Sequence, residues 1–379
     1  MSTRFDVIVI GGGIAGCATA HYLARDGVSV ALLEAGELNA FASGANAGSL
    51  HAQIPHDPFV HKGENWARAF TPAVQLFKAS LDIWTGLEAE LGADLEIGVG
   101  GGLLVGANDV EMRQIEAKAR IERDAGLEIE MLDRAAIRER APYLSTNAIG
   151  GAFCPSEGKA NPLVVAPAFA AAARAHGAHI VSNAGEARVA RTGDGYEAAA
   201  AGQLFAAPRL VIAAGIETGK LVESLGGSIE IQGFPIQANV TEPAEKFLPH
   251  LVYCAGEKLT MKQTRIGTVL IGGGWPAKLD ARGRPVADPA SLAANLAVAK
   301  SVVPAVGALQ IVRTWAAIVN GTEDWLPILG ELPGAPGAFI NYVPWMGFTG
   351  GPAAALAIAK MVQGQRPDMG FDLAAFAPQ

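Results

Sequence analysis

Cysteine is scarce and scattered: Cys17, Cys154 and Cys254 are the only three in 379 residues. They form no CxxC pair, so neither a disulfide framework nor a structural zinc site is indicated, and no metal is expected. An odd, sparse set of this kind fits a reducing compartment. Charge is thin as well, at 17% of residues, with 29 basic and 37 acidic side chains giving a net −8. No run of Lys and Arg is long enough to form a nucleic-acid face, which excludes that class of partner. The N-terminus, Met1-Ser2-Thr3-Arg4-Phe5-Asp6, lacks the basic, apolar and cleavage regions of a secretory signal. The most apolar stretches, residues 164–173 and 353–362, are too short to span a bilayer and read as buried helix. The expectation is a cytoplasmic protein with no membrane span.

What is present is apolar bulk and glycine. Half of the chain is hydrophobic, so a large core forms readily and disorder is not expected. The length exceeds one ordinary domain of roughly 100–200 residues. Glycine, at 46 residues, is about 12% of the chain against a usual level of roughly 7%. That excess implies tight turns, or backbone that must approach a ligand closely.

The strongest local signal lies in the first forty residues. Phe5-Asp6-Val7-Ile8-Val9-Ile10 is an apolar, β-branched run of strand length. Gly11-Gly12-Gly13-Ile14-Ala15-Gly16 follows at once, then a segment of helical composition, then a second strand that ends at Glu34. This is GxGxxG in the context that gives it meaning: strand, glycine turn, helix, strand, acid. Gly11 allows the turn, Gly13 lets backbone approach a pyrophosphate, and Gly16 lets helix pack on strand. The helix N-terminus, with Ile14 and Ala15, faces the phosphates, and Glu34 with Ala35 meets the ribose. Glu34 disfavours a 2′-phosphate, so NADP is not expected. This unit does not choose between FAD and NAD.

Further along, Ser43-Gly44-Ala45-Asn46-Ala47-Gly48-Ser49-Leu50 is a small-residue loop suited to a second wrap around a cofactor. Residues 64–91 read as one helix, residues 97–105 as a glycine-rich strand and residues 109–125 as a charged amphipathic helix. Asp133 caps a short helix, and Asn161-Pro162 precedes another. Leu210-Val211-Ile212-Ala213-Ala214-Gly215 is a buried strand running into glycine. From residue 229 to 320 the texture is β. Met346-Gly347-Phe348-Thr349-Gly350-Gly351 opens an Ala-rich terminal helix. Nucleotide-type segments come from the start, middle and end, so two domains interleave: residues 1–90, 150–222 and 321–379 around the nucleotide, and residues 91–149 and 223–320 for the substrate.

Taken in order, these segments resemble the FAD-dependent amine and amino-acid oxidoreductases of the glycine oxidase, sarcosine oxidase and D-amino-acid dehydrogenase group. The resemblance covers essentially the whole chain. It rests on the fingerprint with Glu34, the Ser43 to Gly48 loop, Gly158 with Asn161-Pro162-Leu163, and Ala213-Ala214-Gly215. It rests further on Arg313-x-Trp315-Ala316 followed by Asp324-x-x-Pro327-x-x-Gly330, and on the terminal helix start. Finer details, Gln237 with Val240-Thr241-Glu242-Pro243 and Lys262-Gln263-Thr264 with Gly267 and Ile271-Gly272-Gly273, resemble the catalytic β subunits of octopine, nopaline and D-hydroxyproline dehydrogenases and hydrogen cyanide synthase.

The resemblance implies an α/β fold: a Rossmann-type FAD domain interleaved with a smaller mixed-sheet substrate domain that roofs the flavin. It implies that Gly11, Gly13 and Gly16 meet the pyrophosphate and that Ser43, Asn46, Ala47, Gly48, Ser49 and Leu50 line the pyrophosphate and flavin edge. Ala214 and Gly215 would lie beside the nucleotide. Gly347, Phe348, Thr349 and Gly350 would aim amides at the flavin, where a helix N-terminus stabilises the charge that reduction places there. The implied reaction is hydride transfer from the carbon bearing nitrogen to flavin N5, followed by hydrolysis of the imine. Positioning matters most in such chemistry. The candidates are His51, Lys262 and Trp345 as catalytic residues, and Gln263, Asn320 and Tyr342 as substrate-binding residues; Lys262 or Arg265 could pair with a carboxylate. The other histidines, His21, His56, His61, His176, His179 and His250, are expected on helices or turns in solvent.

Two departures matter. Where relatives carry a carboxylate-gripping Arg on the last long strand, this chain has Val319, followed by Asn320. Residues 324–351 hold no Cys, so the FAD is expected to be noncovalent. The readings are therefore a dehydrogenase β subunit acting on an opine- or hydroxyproline-like amine, a single-chain glycine, sarcosine or D-amino-acid oxidase or dehydrogenase, and a non-catalytic flavin-holding assembly subunit. The first implies a small-molecule amine substrate, a larger α subunit and a small iron–sulfur subunit as partners.

Overall fold

The computed structural model describes residues 2–193 and 195–379. At its centre is a six-stranded sheet in the order Ile328–Glu331, Ala338–Tyr342, Arg209–Ile212, Val7–Ile10, Val30–Leu33, His179–Val181. The last five run parallel and Ile328–Glu331 closes one edge antiparallel. Val7–Ile10 and Val30–Leu33 are buried along their whole length, as strands covered on both faces must be. Their alternating side chains enter different layers. Val7, Val9 and Leu32 pack with the helices, while Ile8, Ile10 and Leu33 meet Tyr196, Ala198 and Phe205 of a four-stranded sheet. On the helical side, Ile14–Arg25 packs against both Pro162–Ala175 and Gly347–Val362.

An eight-stranded sheet forms the second body, in the order Ile311–Gly321, Gln232–Pro243, Thr268–Pro276, Thr260–Gln263, Leu251–Cys254, Gly102–Gly106, Gly150–Cys154, Glu130–Leu132. Leu251–Cys254 runs parallel to Gly102–Gly106 and the other neighbours pair antiparallel. One face is covered by the helix Pro289–Val302, whose Ala299 and Val302 pack with Val252, Met261 and Ile271. The expected mixed α/β architecture is therefore present. Among the described residues, no helix is long and apolar enough to cross a membrane.

Three details differ from the sequence reading. Residues 64–91 are not one helix but parts of three, His56–Ala69, Thr71–Trp84 and Leu87–Leu91. Gly63, with φ 82° and ψ −179°, also breaks the first of these internally; periodicity persisted across the breaks because each piece presents an apolar stripe to the same core. The small-residue loop contains a short helix, Ala42–Ala45. The strand Gly150–Cys154, assigned by sequence to the nucleotide part, pairs with Gly102–Gly106 in the eight-stranded sheet.

The glycine turn sets the height of the first helix above the sheet. Gly11 adopts φ 111°, and a Cβ on Gly16 would fall 1.9 Å from the Gly11 carbonyl oxygen. That contact is backbone on backbone, so relief requires moving the helix. Gly16→Ala is expected to lower unfolding stability by about 2 kcal/mol or more, checked by urea denaturation of the cofactor-free chain.

Candidate active site

A continuous cleft of about 1950 Å³ runs from the glycine turn, under the eight-stranded sheet, to the start of the terminal helix. Small-molecule pockets span roughly 300–1,000 Å³, so this one has room for a dinucleotide and a second ligand. At the first end, Glu34 is buried and its carboxylate accepts from the Gly12 amide at 2.6 Å and the Gly36 amide at 2.8 Å. The helix that follows has Gly13 at its N-cap and receives no bond from the cap's own side chain, leaving first-turn amides for a ligand. The Ile14 amide is the exception, donating to Ser43 Oγ at 3.0 Å.

At the other end, Thr349 organises the wall. Its hydroxyl donates to the Ser49 carbonyl at 3.2 Å and accepts from the His51 amide at 3.1 Å. Its own carbonyl accepts from Ser80 Oγ at 2.6 Å and Trp84 Nε1 at 3.0 Å. From the sheet above, Trp315 Nε1 donates to the Ala45 carbonyl at 2.7 Å, and Lys262 Nζ donates to Ser49 Oγ at 2.7 Å. Trp345 holds φ 55°, uncommon for a bulky residue and a mark of functional sites. It stacks between Phe234 and Trp325, at centroid distances of 4.8 and 4.3 Å. Trp345 Nε1 and the Tyr342 hydroxyl are both buried with no partner among the described residues, and both residues line the cleft.

The cleft gathers most of the sequence-predicted set: Gly11, Gly13, Ile14, Ala15, Glu34, Ala35, Ser43, Asn46, Ala47, Ser49, His51, Ala214, Gly215, Val319, Asn320, Tyr342, Trp345, Gly347, Phe348 and Thr349 all line it. Others turn away. Gly16 packs on Gly11 and Gly48 on the Ala160 carbonyl, while Gly350 lies against Leu76 and Phe77. Leu50 is in the core. Gln263 is corrected most clearly: its Oε1 accepts from the Phe247 and Leu248 amides, and its Nε2 donates to the carbonyls of Glu245 and Gly267. It is a clasp for the loop beyond its strand. Lys262, expected as a catalytic residue, does not line the cleft either: it is fully buried and meets the cleft only through its bond to Ser49 Oγ. Arg265 pairs in solvent with Asp94 at 2.6 Å, away from the cleft.

The histidine expectation also fails in part. His21 is buried and contacts Glu90 at 3.1 Å. His250 Nδ1 meets the Tyr143 hydroxyl at 2.6 Å, and His179 lies on a strand. His56 lines the cleft with both ring nitrogens buried and unpartnered. Its pKa falls to about 3 through burial, then the Lys118 charge. Sequence reasoning also missed Gln53, Lys118, Tyr253 and Thr260, all of which line the cleft.

Electrostatics set the charge state of this end. Burial, then the nearby Lys262, lowers His51 to about 4, so its imidazole is neutral at neutral pH. Burial, then Lys159, lowers Lys262 to about 7. Lys159 itself, lowered by burial, donates to the Gln263 carbonyl.

A cleft that opens on a glycine turn, carries an acid at the end of the second strand and meets two helix N-termini defines a dinucleotide-binding oxidoreductase. The chain belongs to the family of FAD dependent oxidoreductases, whose model matches residues 6–361. It is 28% identical to one of the subunits of opine oxidase from Rhizobium meliloti, over 88% of this chain and 87% of that protein. It is 27% identical to glycine oxidase of Geobacillus kaustophilus, over 100% and 97%. A crystal structure of glycine oxidase from Geobacillus kaustophilus superposes with a TM-score of 0.81 at 25% identity, covering 100% of this chain and 99% of that one. The protein is an FAD-dependent enzyme, and the buried acid, the glycine backbone and the cleft volume fit that cofactor.

Two outcomes test the two ends. Glu34→Ala removes the buried acid at the nucleotide end of the cleft and is expected to weaken FAD binding about tenfold or more, the worth of one hydrogen bond to a charged group, read by recovery of flavin fluorescence on release. For Lys262, the unfolded amine keeps its ordinary value of 10.5 and the folded one titrates near 7. Between these values the unfolded chain binds the extra proton, so this group's contribution to stability rises with pH across the window. Lys262→Met should therefore raise the Tm of the cofactor-free chain most at and below pH 7, with the gain fading toward pH 10.5.

Proposed function

We propose that this chain is an FAD-dependent dehydrogenase that oxidises the C–N bond of a secondary amine, imino acid or D-amino acid, opine- or hydroxyproline-like, as the β subunit of a heteromeric cytoplasmic complex. The observation that carries the substrate class is the makeup of the cleft near Trp345. Val319 and Asn320 stand there, and the arginines that line the cleft are Arg188 and Arg284. Arg284 is engaged with Asp280 at 2.8 Å, and Arg188 belongs to the four-stranded sheet beneath the nucleotide end. A simple α-amino acid gripped by a bidentate guanidinium is therefore disfavoured. The name of the R. meliloti relative, which is one part of an opine oxidase, supports the substrate class and a heteromeric assembly; a larger α subunit and a small iron–sulfur subunit are the partners this reading proposes.

Gly11, Gly13, Ser43, Asn46 and the amides at Gly347 and Phe348 would hold FAD, with Glu34 on the ribose. Bound there, FAD supplies the acceptor for the hydride that leaves the carbon bearing nitrogen. The chain's residues orient the substrate and keep water out. Neutral His51 offers a hydrogen-bond acceptor to the amine N–H, the Tyr342 hydroxyl and Trp345 Nε1 donate to its carboxylate or substituent, and the Trp345 stack closes the wall. Proximity of this kind accounts for much of the rate in reactions that need no strong base. The imine product then takes up water, giving a carbonyl compound and an amine or ammonia. On this reading residues 1–90, 155–222 and 321–379 serve the nucleotide and residues 91–154 and 223–320 the substrate, the strand Gly150–Cys154 passing to the substrate side through its pairing with Gly102–Gly106.

One observation favours a second reading. Glycine oxidase of G. kaustophilus matches along essentially both full lengths, as a single-chain glycine, sarcosine or D-amino-acid oxidase or dehydrogenase would. An anaerobic absorbance titration of the yellow protein with octopine, nopaline, cis- and trans-hydroxyproline, D-proline, sarcosine, glycine and D-alanine separates them. Bleaching by opines or hydroxyprolines, with slow recolouring in air, is the expected result. Bleaching by glycine or sarcosine with fast recolouring would establish the second reading, and a colourless purified protein would overturn both.

A further inference from the structure

The segment after the small-residue loop has no regular partner for its backbone, yet its amides are satisfied one after another. The His51 amide ends on Thr349 Oγ1. Those of Ala52 and Gln53 donate to a single oxygen of Glu157, at 2.7 and 2.8 Å. The Ile54 amide donates to Glu122 at 2.7 Å. Four consecutive amides thus end on side chains from three distant segments. The second oxygen of Glu157 accepts from Gln53 Nε2 at 3.0 Å and from the Tyr253 hydroxyl at 3.1 Å. Glu122 also receives the Lys118 ammonium at 2.5 Å.

Glu157 and Glu122 are both fully buried, and a buried charge is costly unless it is paired or well hydrogen-bonded. Four donors converging on the two oxygens of Glu157 call for an acceptor-only group, which among side chains is an ionised carboxylate. The fit leaves no slack, since a Cβ on Gly102 would fall 1.7 Å from Glu157 Oε2. Glu157 does not line the cleft, but the two groups it joins do. One is the backbone that carries His51; the other is Tyr253, whose ring lies 6.2 Å from the His51 ring, centroid to centroid.

We propose that Glu157 is a positioning residue for the substrate end of the cleft, fixing the His51 imidazole and the Tyr253 ring against one another, with Glu122 holding the same segment one residue further on. The proposal rests on the amine-oxidising reading above. A carboxylate that only held the fold together would govern stability and cofactor retention; one that sets the wall governs affinity for the amine.

The test uses FAD-loaded Glu157→Gln, Tyr253→Phe and the double variant. An isosteric Gln must turn an NH₂ toward donors, and Phe keeps the ring while deleting the hydroxyl. Two readouts are taken for the amine that bleaches the wild type: KM and kcat in turnover, and its Kd from the concentration dependence of the anaerobic flavin-reduction rate. Each single variant is expected to raise KM and Kd about tenfold with kcat within about twofold and FAD content unchanged. The double variant should be no worse than the worse single one, as coupled residues behave. Unchanged KM and Kd in the singles, or additive effects in the double, would overturn the positioning role. Where Glu157→Gln fails to fold, Tyr253→Phe decides alone by the same criterion. A wild-type flavin that no amine reduces would instead overturn the amine-oxidising reading, and the positioning role with it.

Discussion

One threonine ties this molecule together across almost its whole length. Thr349 stands in the first turn of the terminal helix, fully buried, and its hydroxyl bridges the backbone on either side of Leu50. Its carbonyl is held by Ser80 and Trp84 from the helix Thr71–Trp84. Partners some 300 residues away in sequence therefore fix where the terminal helix begins, and that start forms one end of the cleft. Helix N-termini leave unsatisfied amides, and here the side chains around Thr349 settle the orientation of the helix before any ligand arrives. The small-residue loop, the terminal helix and the segment bearing His51 are consequently bonded to one another.

A second constraint is charge held out of water. Lys262 and Lys159 lie near each other under the sheet, and burial with like-charge repulsion pushes Lys262 down to about 7. The same cation, together with desolvation, keeps His51 neutral. Glu157 and Glu122, which accept from the amides that follow His51, add buried carboxylates, with Lys118 partnering the latter. Burial is the larger cause of the lowered values at both His51 and Lys262, and a neighbouring lysine adds to it in each case. Interactions of this kind are stronger than at the surface and less forgiving of substitution.

The legible parts of the site were the local ones. Gly11, Gly13, Gly16 and Glu34 belong to a strand–turn–helix–strand unit whose geometry follows from about thirty contiguous residues, and the family model spans them. The terminal helix start at Gly347 could be read for the same reason. Lys262 and Gln263 were both expected at the cleft although period-two alternation forbids both from facing one way; both are buried, Lys262 behind Ser49 and Gln263 in the loop beyond its strand. Breaks at Phe70 and Gly86 divide what read as one continuous helix, because a shared core made separate stripes look like one.

Local chemistry and alternating hydrophobicity were enough to determine an α/β nucleotide fold, a glycine turn built for a phosphate and the acid that accompanies it. The resemblance to a known family, rather than the local pattern, pointed to Val319 as the position where relatives carry a carboxylate-gripping Arg. The tertiary structure alone decided that Gln53, Lys118, Glu122, Glu157 and Tyr253 converge on the segment behind His51, because their contacts span 65 to 105 residues of chain with no spacing or periodicity to announce them. It alone decided that His56 lies at the cleft, and that the hydroxyl of Tyr342, a residue the sequence had singled out, is left without a partner among the described residues. Motifs are carried by contiguous backbone and can be read in order; a buried polar network is carried by packing, which brings distant residues together only once the layers have closed.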